Sequence, residues 1–409
     1  MRVIEPPGHV APVLRRLVDN GYPAVLVGGC VRDIVMGRHI SDWDLATSAT
    51  PAEVALLFPK TFMTGEKYGT VTVLTSEDPV EVTTFRTEGA YSDGRRPESV
   101  EFVTSLEEDL SRRDFTINSM AASPAGEVID PFGGAADIEN RTIRCVGDPE
   151  SRFSEDALRM FRAFRFRAQL GFSIEPETLS AIYANASKAG LISAERVRVE
   201  LEKTLMSDMP ETAAEMIKAG LLSRYLAEDA EAPRGLEEIA GLPAEPVLRW
   251  CAFCFALLDT GAISSAAEFL REMRLDSKTA SACSRALSIP VFPETRQEIK
   301  RLLAGYGVNA VRCAAAAATA TATATAAASR NADKGDNGGG AGLSALSMTD
   351  EIIASGECFS LSCLAVTGSD LIALGHQPGR EIGKTLDMLL SHVLEHPEDN
   401  VREVLLKKL

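Results

Sequence analysis

Histidine is scarce in this chain: five residues in 409, at positions 9, 39, 376, 392 and 396, and none is followed by Asp. Ser-His-Asp and Cys-His catalysis and an HD-type phosphohydrolase therefore have no support. Eight cysteines are spread along the chain with a single C-x-x-C, Cys251 and Cys254, and no second Cys or His pair follows at zinc spacing. A disulfide framework is excluded, no zinc is expected, the two thiols read as core residues, and a reducing cytoplasm fits best. No window reaches the roughly 18 to 20 apolar residues of a membrane span. The start, Met1-Arg2-Val3-Ile4-Glu5-Pro6-Pro7, lacks the basic-then-apolar pattern of a signal peptide, so the expectation is a cytoplasmic protein with no membrane partner. Positive charge is also short, with 42 Lys and Arg against 58 Asp and Glu and a net charge of -16. Non-specific coating of nucleic acid is thereby excluded, and any nucleic-acid contact must be local. The run Gly379-Arg380-Glu381-Ile382-Gly383-Lys384-Thr385 has three residues between its glycines instead of four and no buried strand before it, so it is not read as a phosphate loop.

What remains is an ordinary globular composition, 45% apolar and 24% charged, in a chain long enough for at least two domains. The apolar run Ala24-Val25-Leu26-Val27 stops at Gly28-Gly29, and short β-rich runs at 70–75 and 80–85 flank polar turns. The first 110 residues are thus mixed α/β with a small sheet. Beyond about residue 150 the pattern is helical almost without strands: 155–170, 176–185, 194–205, 211–219 and more through 303. An Ala/Thr repeat then runs into Gly338-Gly339-Gly340, which is linker composition: alanine allows helix in its first half, the glycines do not. The expected division is 1–145, a sheet-bearing head; 146–206, a helical neck; 207–313, a helical body; 314–342, a low-complexity linker; and 343–409, a helical tail.

Two local patterns carry chemistry. A glycine pair between strand and helix, Gly28-Gly29, lets backbone amides face a phosphate, with Arg32 adding charge. Asp42-Trp43-Asp44 places two carboxylates on one face of a strand, where mutual repulsion favours a cation such as Mg2+ between them. Each alone is equally a plain turn or a solvated acidic pair; both in this order on adjacent elements make the bland reading a poor one. In helix 155–170, Ala157, Phe161, Phe164 and Ala168 share one arc, while Asp156, Arg159 and Arg162 share another. An i,i+3 surface ion pair is the ordinary reading, but five arginines between Arg152 and Arg167 in a chain this acidic suit triphosphate and RNA backbone.

Gly28-Gly29 followed by Asp42-x-Asp44 resembles the DNA polymerase β-like nucleotidyltransferase superfamily. Arg112-Arg113-Asp114-Phe115-Thr116-Ile117-Asn118, then Asp130-Pro131-Phe132-Gly133-Gly134, then Glu155-Asp156-Ala157-Leu158-Arg159 look like the successive motifs of the class II CCA-adding tRNA nucleotidyltransferases. Bacterial poly(A) polymerases carry the same ordered motifs. The resemblance covers residues 24–206 and resumes at Val366-Thr367-Gly368-Ser369-Asp370-Leu371.

It implies an α+β fold: a polymerase-β-like head with a small mixed sheet, then an all-helical neck, body and tail gripping the acceptor-TΨC arm of tRNA. It implies that Asp42 and Asp44 hold two Mg2+ ions, with Glu81 in Val80-Glu81-Val82 placed as a third carboxylate. Arg113 and Asp114 match the ribose-reading pair. Asp156 and Arg159 match the protein template for the incoming base, and Arg162 and Arg165 match residues that help hold the nucleotide. The implied reaction is addition of C, C and A to tRNA 3' ends from CTP and ATP with release of pyrophosphate. Rivals are a poly(A) polymerase, an enzyme adding only CC or only A, and a catalytically inactive tRNA-binding protein. The loop at 87–97 speaks against CC-only addition, the lack of a long basic tail against poly(A) synthesis, and retention of both Asp42 and Asp44 against an inactive scaffold. The sequence leaves the oligomeric state open.

Overall fold

A computed structural model of the chain describes residues 4–40, 42–65, 68–89, 100–289, 291–332 and 344–409. The loop expected at 87–97 falls from residue 90 onward outside the described residues, as do the glycines at 338–340. Two compact units are present, one of residues 1–200 with 215–224, the other of residues 201–214 with 225–409. The expected neck therefore belongs with the head as far as Glu200.

In the first unit, five longer strands, β1 (Ala24–Val27), β2 (Asp44–Thr47), β3 (Thr61–Gly65), β4 (Thr70–Val73) and β5 (Val80–Thr84), form most of the sheet. A separate hairpin, β6 (Arg86–Glu88) with β7 (Val100–Phe102), lies between these and two short strands, β8 (Ala121–Ala122) and β9 (Val128–Ile129). The sheet order is β3-β4-β5-β2-β1-β8-β9, antiparallel except for the parallel β2–β5 pair. Every residue of β1 is buried, as a strand covered on both faces must be. On one face Ala24, Leu26, Leu45, Val71 and Val82 pack with α1 (Ala11–Asp19) and α3 (Pro51–Leu57); on the other, Val25, Val27, Ala46, Phe85, Leu110 and Ala121 form a second cluster. The start of α3 is legible in sequence: Pro51 sits in its first turn, and Thr50 and Glu53 form a reciprocal capping box.

Between β1 and β2 lies α2 (Gly29–Val35); α4 (Leu106–Ser111) and α5 (Gly134–Glu139) complete the head. Next come α6 (Pro149–Glu155), α7 (Leu158–Leu170), α8 (Pro176–Asn185), α9 (Ala194–Leu205) and α10 (Thr212–Lys218), with a two-residue parallel bridge, β10 (Thr142–Ile143) to β11 (Ser173–Ile174). The helix expected over 155–170 is two helices. Asp156 is extended at φ -141° and ψ 103°, and its Oδ1 accepts from Leu158 N at 3.0 Å. An Asp side chain that bonds the amide two residues on competes with helical pairing, which is why α6 stops and α7 starts there. The apolar arc survives the break: Ala157, Phe161, Phe164 and Ala168 are all buried.

Among the described residues the regular elements of the second unit are all helices, chief among them α11 (Pro246–Asp259), α12 (Ala266–Glu272), α13 (Ser277–Ala286), α14 (Arg296–Tyr306), α15 (Val308–Ala332), α16 (Ala345–Ala354), α17 (Gly368–Ala373), α18 (Arg380–Glu395) and α19 (Arg402–Leu406). Trp250, Phe253 and Phe269 pack with ring centroids 6.2 to 6.5 Å apart. The buried Arg249 donates to the carbonyls of Leu205, Ser207 and Leu242 at 2.7, 2.7 and 2.9 Å. The reading of 314–342 as a linker is corrected here. Residues up to Ala332 belong to α15, with Cys313 through Ala317 buried against neighbouring helices. Alanine is the strongest helix former, and its small side chain lets helix backbones approach closely, so an Ala run that looks featureless in sequence makes a dense contact. Thr319 and Thr321 stay in the helix by donating back to the carbonyls of Ala315 and Ala317 at 2.8 and 2.9 Å. Arg312 fastens the same helix to Glu245 and Asp350 with four hydrogen bonds of 2.7 to 3.2 Å. The glycine-lysine run at 379–385 is the start of α18, not a phosphate loop.

Candidate active site

At the end of β1, Gly28 turns the chain into α2 with φ 75°, a conformation that residues with a Cβ rarely adopt. A Cβ there would also lie 2.9 Å from Arg113 Nη1, so glycine is what allows the guanidinium to approach the backbone. From α2, Arg32 donates to both oxygens of Asp33 at 2.9 Å and to Asn118 Oδ1 at 2.8 Å. These bonds hold its guanidinium at the cleft wall.

The parallel register of β2 with β5 sets Asp44 directly beside Glu81. Asp42 lies two residues ahead, before the strand begins, and the three carboxylates share a concavity of about 430 Å³ with Asp78. The expectation that both aspartates sit on one strand is corrected to that extent. Burial and the Glu81 carboxylate push Asp44 up to about 6, with Arg113 opposing and Asp42 reinforcing the shift. Burial is the largest cause, and the neighbouring carboxylates add to it. An all-oxygen set of this kind fits a hard divalent cation of the Mg2+ class.

Eleven of the twelve positions singled out in sequence line one cleft of about 730 Å³; Asp42 is the exception. Eight arginines and four carboxylates face this cleft, a local excess of positive charge in a chain of net charge -16. Asp114 is buried beneath it and accepts from Arg162 Nε at 2.6 Å, Phe115 N at 2.9 Å and Asn118 Nδ2 at 3.2 Å. Burial alone would raise its pKa, but the Arg162 guanidinium and these bonds hold it down at about 2. Arg165 pairs with Glu200 at 2.5 Å and lies 3.8 Å from the ring centroid of Phe166. Arg32 and Arg162 approach the same ring at 5.3 and 5.4 Å. One aromatic face thus gathers three guanidinium groups, each weakly attracted to the ring.

Asp156 and Arg159 line the same cleft, and the Arg159 amide donates to the Asp156 carbonyl at 3.0 Å. Asp156 accepts from Arg196 of α9 at 2.6 and 3.2 Å. Arg159 is buried, donates to Glu155 at 2.5 Å, and reaches the carbonyls of Arg152 and Arg112 at 3.3 and 3.0 Å. Because α6 ends at Glu155, the Asp156 carboxylate leaves the helical path and becomes reachable from α9. Sequence reasoning did not single out Arg196, Asn118 or Phe166. Asn118 and Phe166 stand inside or beside the quoted motifs, whereas Arg196 is one charge among several on an amphipathic helix and carries no local signal.

Known proteins add the following. Residues 24–144 match the Poly A polymerase head domain, and residues 171–231 match the probable RNA- and SrmB-binding site of polymerase A. A CCA-adding enzyme of Geobacillus thermodenitrificans is 46% identical over 287 residues, covering 69% of this chain and 70% of its own length. One from Limosilactobacillus fermentum is 38% identical over 400 residues, covering 97% of this chain and 94% of its own. The crystal structure of the Bacillus stearothermophilus CCA-adding enzyme in complex with CTP superposes with a TM-score of 0.75 at 33% identity over 96% of this chain and 94% of that one. With the cleft, its carboxylates and nearly the whole length matched in this way, the chain belongs to the CCA-adding enzyme family of tRNA nucleotidyltransferases, built on the poly(A) polymerase head.

Proposed function

We propose that the chain adds C, C and A in turn to the 3' end of tRNA, from CTP and ATP and without a nucleic-acid template, releasing pyrophosphate. The observation that carries this reading is that one cleft gathers Asp44 and Glu81, Asp156 and Arg159, and eight arginines. A triphosphate occupies the arginine-lined stretch, and its base meets Asp156 and Arg159. Asp42 and Asp44, with Glu81 beside them, would hold a pair of Mg2+ ions. Bound there, such ions lower the pKa of the RNA 3'-hydroxyl and neutralise charge developing on the triphosphate. Arg32, Arg162 and Arg165 orient the nucleotide before reaction and neutralise its charge, an arrangement prepared in advance by their bonds to Asp33, Asp114 and Glu200. Arg113 and Asp114 face the ribose, where a contact to the 2'-hydroxyl selects ribonucleotides.

The test uses a tRNA lacking its 3' end, incubated with CTP, with ATP and with both, the products being sized on a gel. Three additions that stop are expected with both nucleotides. A long ladder with ATP alone would replace this reading with poly(A) synthesis.

A further inference from the structure

In the helical unit, among residues that do not line the cleft, three thiols that are far apart in sequence meet. Cys251 on α11, Cys283 on α13 and Cys313 on α15 are all buried, and their sulfurs lie within 4.8 Å of one another. None is in a disulfide. Cys283 and Cys313 both approach the Val247 carbonyl, at 4.0 and 3.7 Å. The same helix carries Trp250 and Phe253, both fully buried. No His or carboxylate belongs to the group among the described residues. Sequence spacing could not show this: 32 and 30 residues separate the three positions, and only the packing of three helices brings them together.

We infer that Cys251, Cys283 and Cys313 form a trithiolate site for a soft d10 metal ion that accepts three ligands, the Cu(I) class. Thiolate sulfur selects soft ions over Mg2+ or Ca2+, and a purely three-sulfur donor set suits an ion content with trigonal coordination better than one that requires a tetrahedron. Binding would release thiol protons and tie α11, α13 and α15 together, so occupancy should appear as added stability of this unit.

The experiment takes the full-length protein, reduced and free of oxygen, and titrates it with Cu(I) against a chromophoric Cu(I) chelator. Parallel titrations use Zn(II), and thermal unfolding is followed by Trp fluorescence. One equivalent of Cu(I) should be withdrawn from the chelator, with a rise of about 5 °C or more in the unfolding midpoint. Cys251→Ala, Cys283→Ala and Cys313→Ala should each lose both effects while Cys363→Ser retains them. Each alanine variant is checked for folding by the circular dichroism of its helices. Failure of the unaltered protein to compete for Cu(I) overturns the inference without recourse to any variant. So does equal binding by the alanine variants, or a preference for Zn(II) over Cu(I).

Discussion

Arg196 and Asp156 form a two-point ion pair, at 2.6 and 3.2 Å, between α9 and the break that separates α6 from α7. The carboxylate expected to read the base is thus held by a planar fork of donors while its backbone is kept out of the helix. Arg196→Ala should lower incorporation of CTP and ATP by roughly 10- to 100-fold, the worth of a charged hydrogen-bonded pair. Arg196→Lys should recover only part, because an ammonium cannot offer two parallel donors. Single-turnover rates with all four nucleotides check this; unchanged rates in Arg196→Ala would show that the pair has no part in placing Asp156.

Asp42→Asn and Asp44→Asn should each abolish incorporation while leaving tRNA affinity nearly unchanged, because these carboxylates serve the chemical step through the metal ions rather than the grip on tRNA. Activity retained above about one percent of the parent, a loss of under about 3 kcal/mol, would refute the two-metal assignment. Filter binding with labelled tRNA supplies the second readout.

Asp156→Ala and Arg159→Ala should raise UTP and GTP incorporation relative to CTP and ATP. Cytosine and adenine present an amine beside an unprotonated ring nitrogen, which a carboxylate and a guanidinium can satisfy. Uracil and guanine reverse both groups and leave buried donors facing donors. Equal slowing of all four nucleotides would instead make the pair a support for the helix.

Asp114 offers a pH test. Its carboxyl is held at about 2, below the usual 3.8, so the stability it contributes is present above about pH 4 and is lost as pH falls toward 2. Asp114→Asn should therefore cost roughly 2 kcal/mol near neutrality, and the difference in unfolding midpoint should shrink steadily below pH 4. A midpoint difference independent of pH would show that the variant acts through packing alone.

A linker over residues 315–340 would be dispensable. With Ala315, Ala316 and Ala317 buried in α15, deleting this stretch should unfold the helical unit, and Ala316→Asp alone should cost several kcal/mol for a charge buried among helices. Circular dichroism melts distinguish the outcomes: a deletion that melts like the parent would restore the linker reading.

How much could be read beforehand depended on how local the cause was. The strand Ala24–Val27 and the glycine turn at Gly28 rest on neighbouring residues, and sequence reasoning reaches them. The two-residue strands β8 and β9 are too short to show a period and escaped it. The break at Asp156 was missed because an i,i+3 charge pattern looks identical whether or not the helix is interrupted; only the Leu158 amide bond reveals the difference. Arg196 and the three thiols needed helix packing over 30 residues or more, which no window contains. The Ala/Thr run misleads for the opposite reason: low complexity suggests an absence of packing, while small side chains are what close packing uses.

The parallel ladder between β2 and β5 has a consequence for how this enzyme can vary. Asp44 faces Glu81 because Leu45, Ala46 and Thr47 face Val82, Thr83 and Thr84 in step. Gaining or losing one residue in either strand would turn every later side chain to the opposite face and swap Glu81 for an aliphatic neighbour. Substitutions along these strands can be absorbed one at a time, but length cannot. Descendants of this chain are free to grow at their loops, while the eight positions of that ladder behave as a single inherited unit.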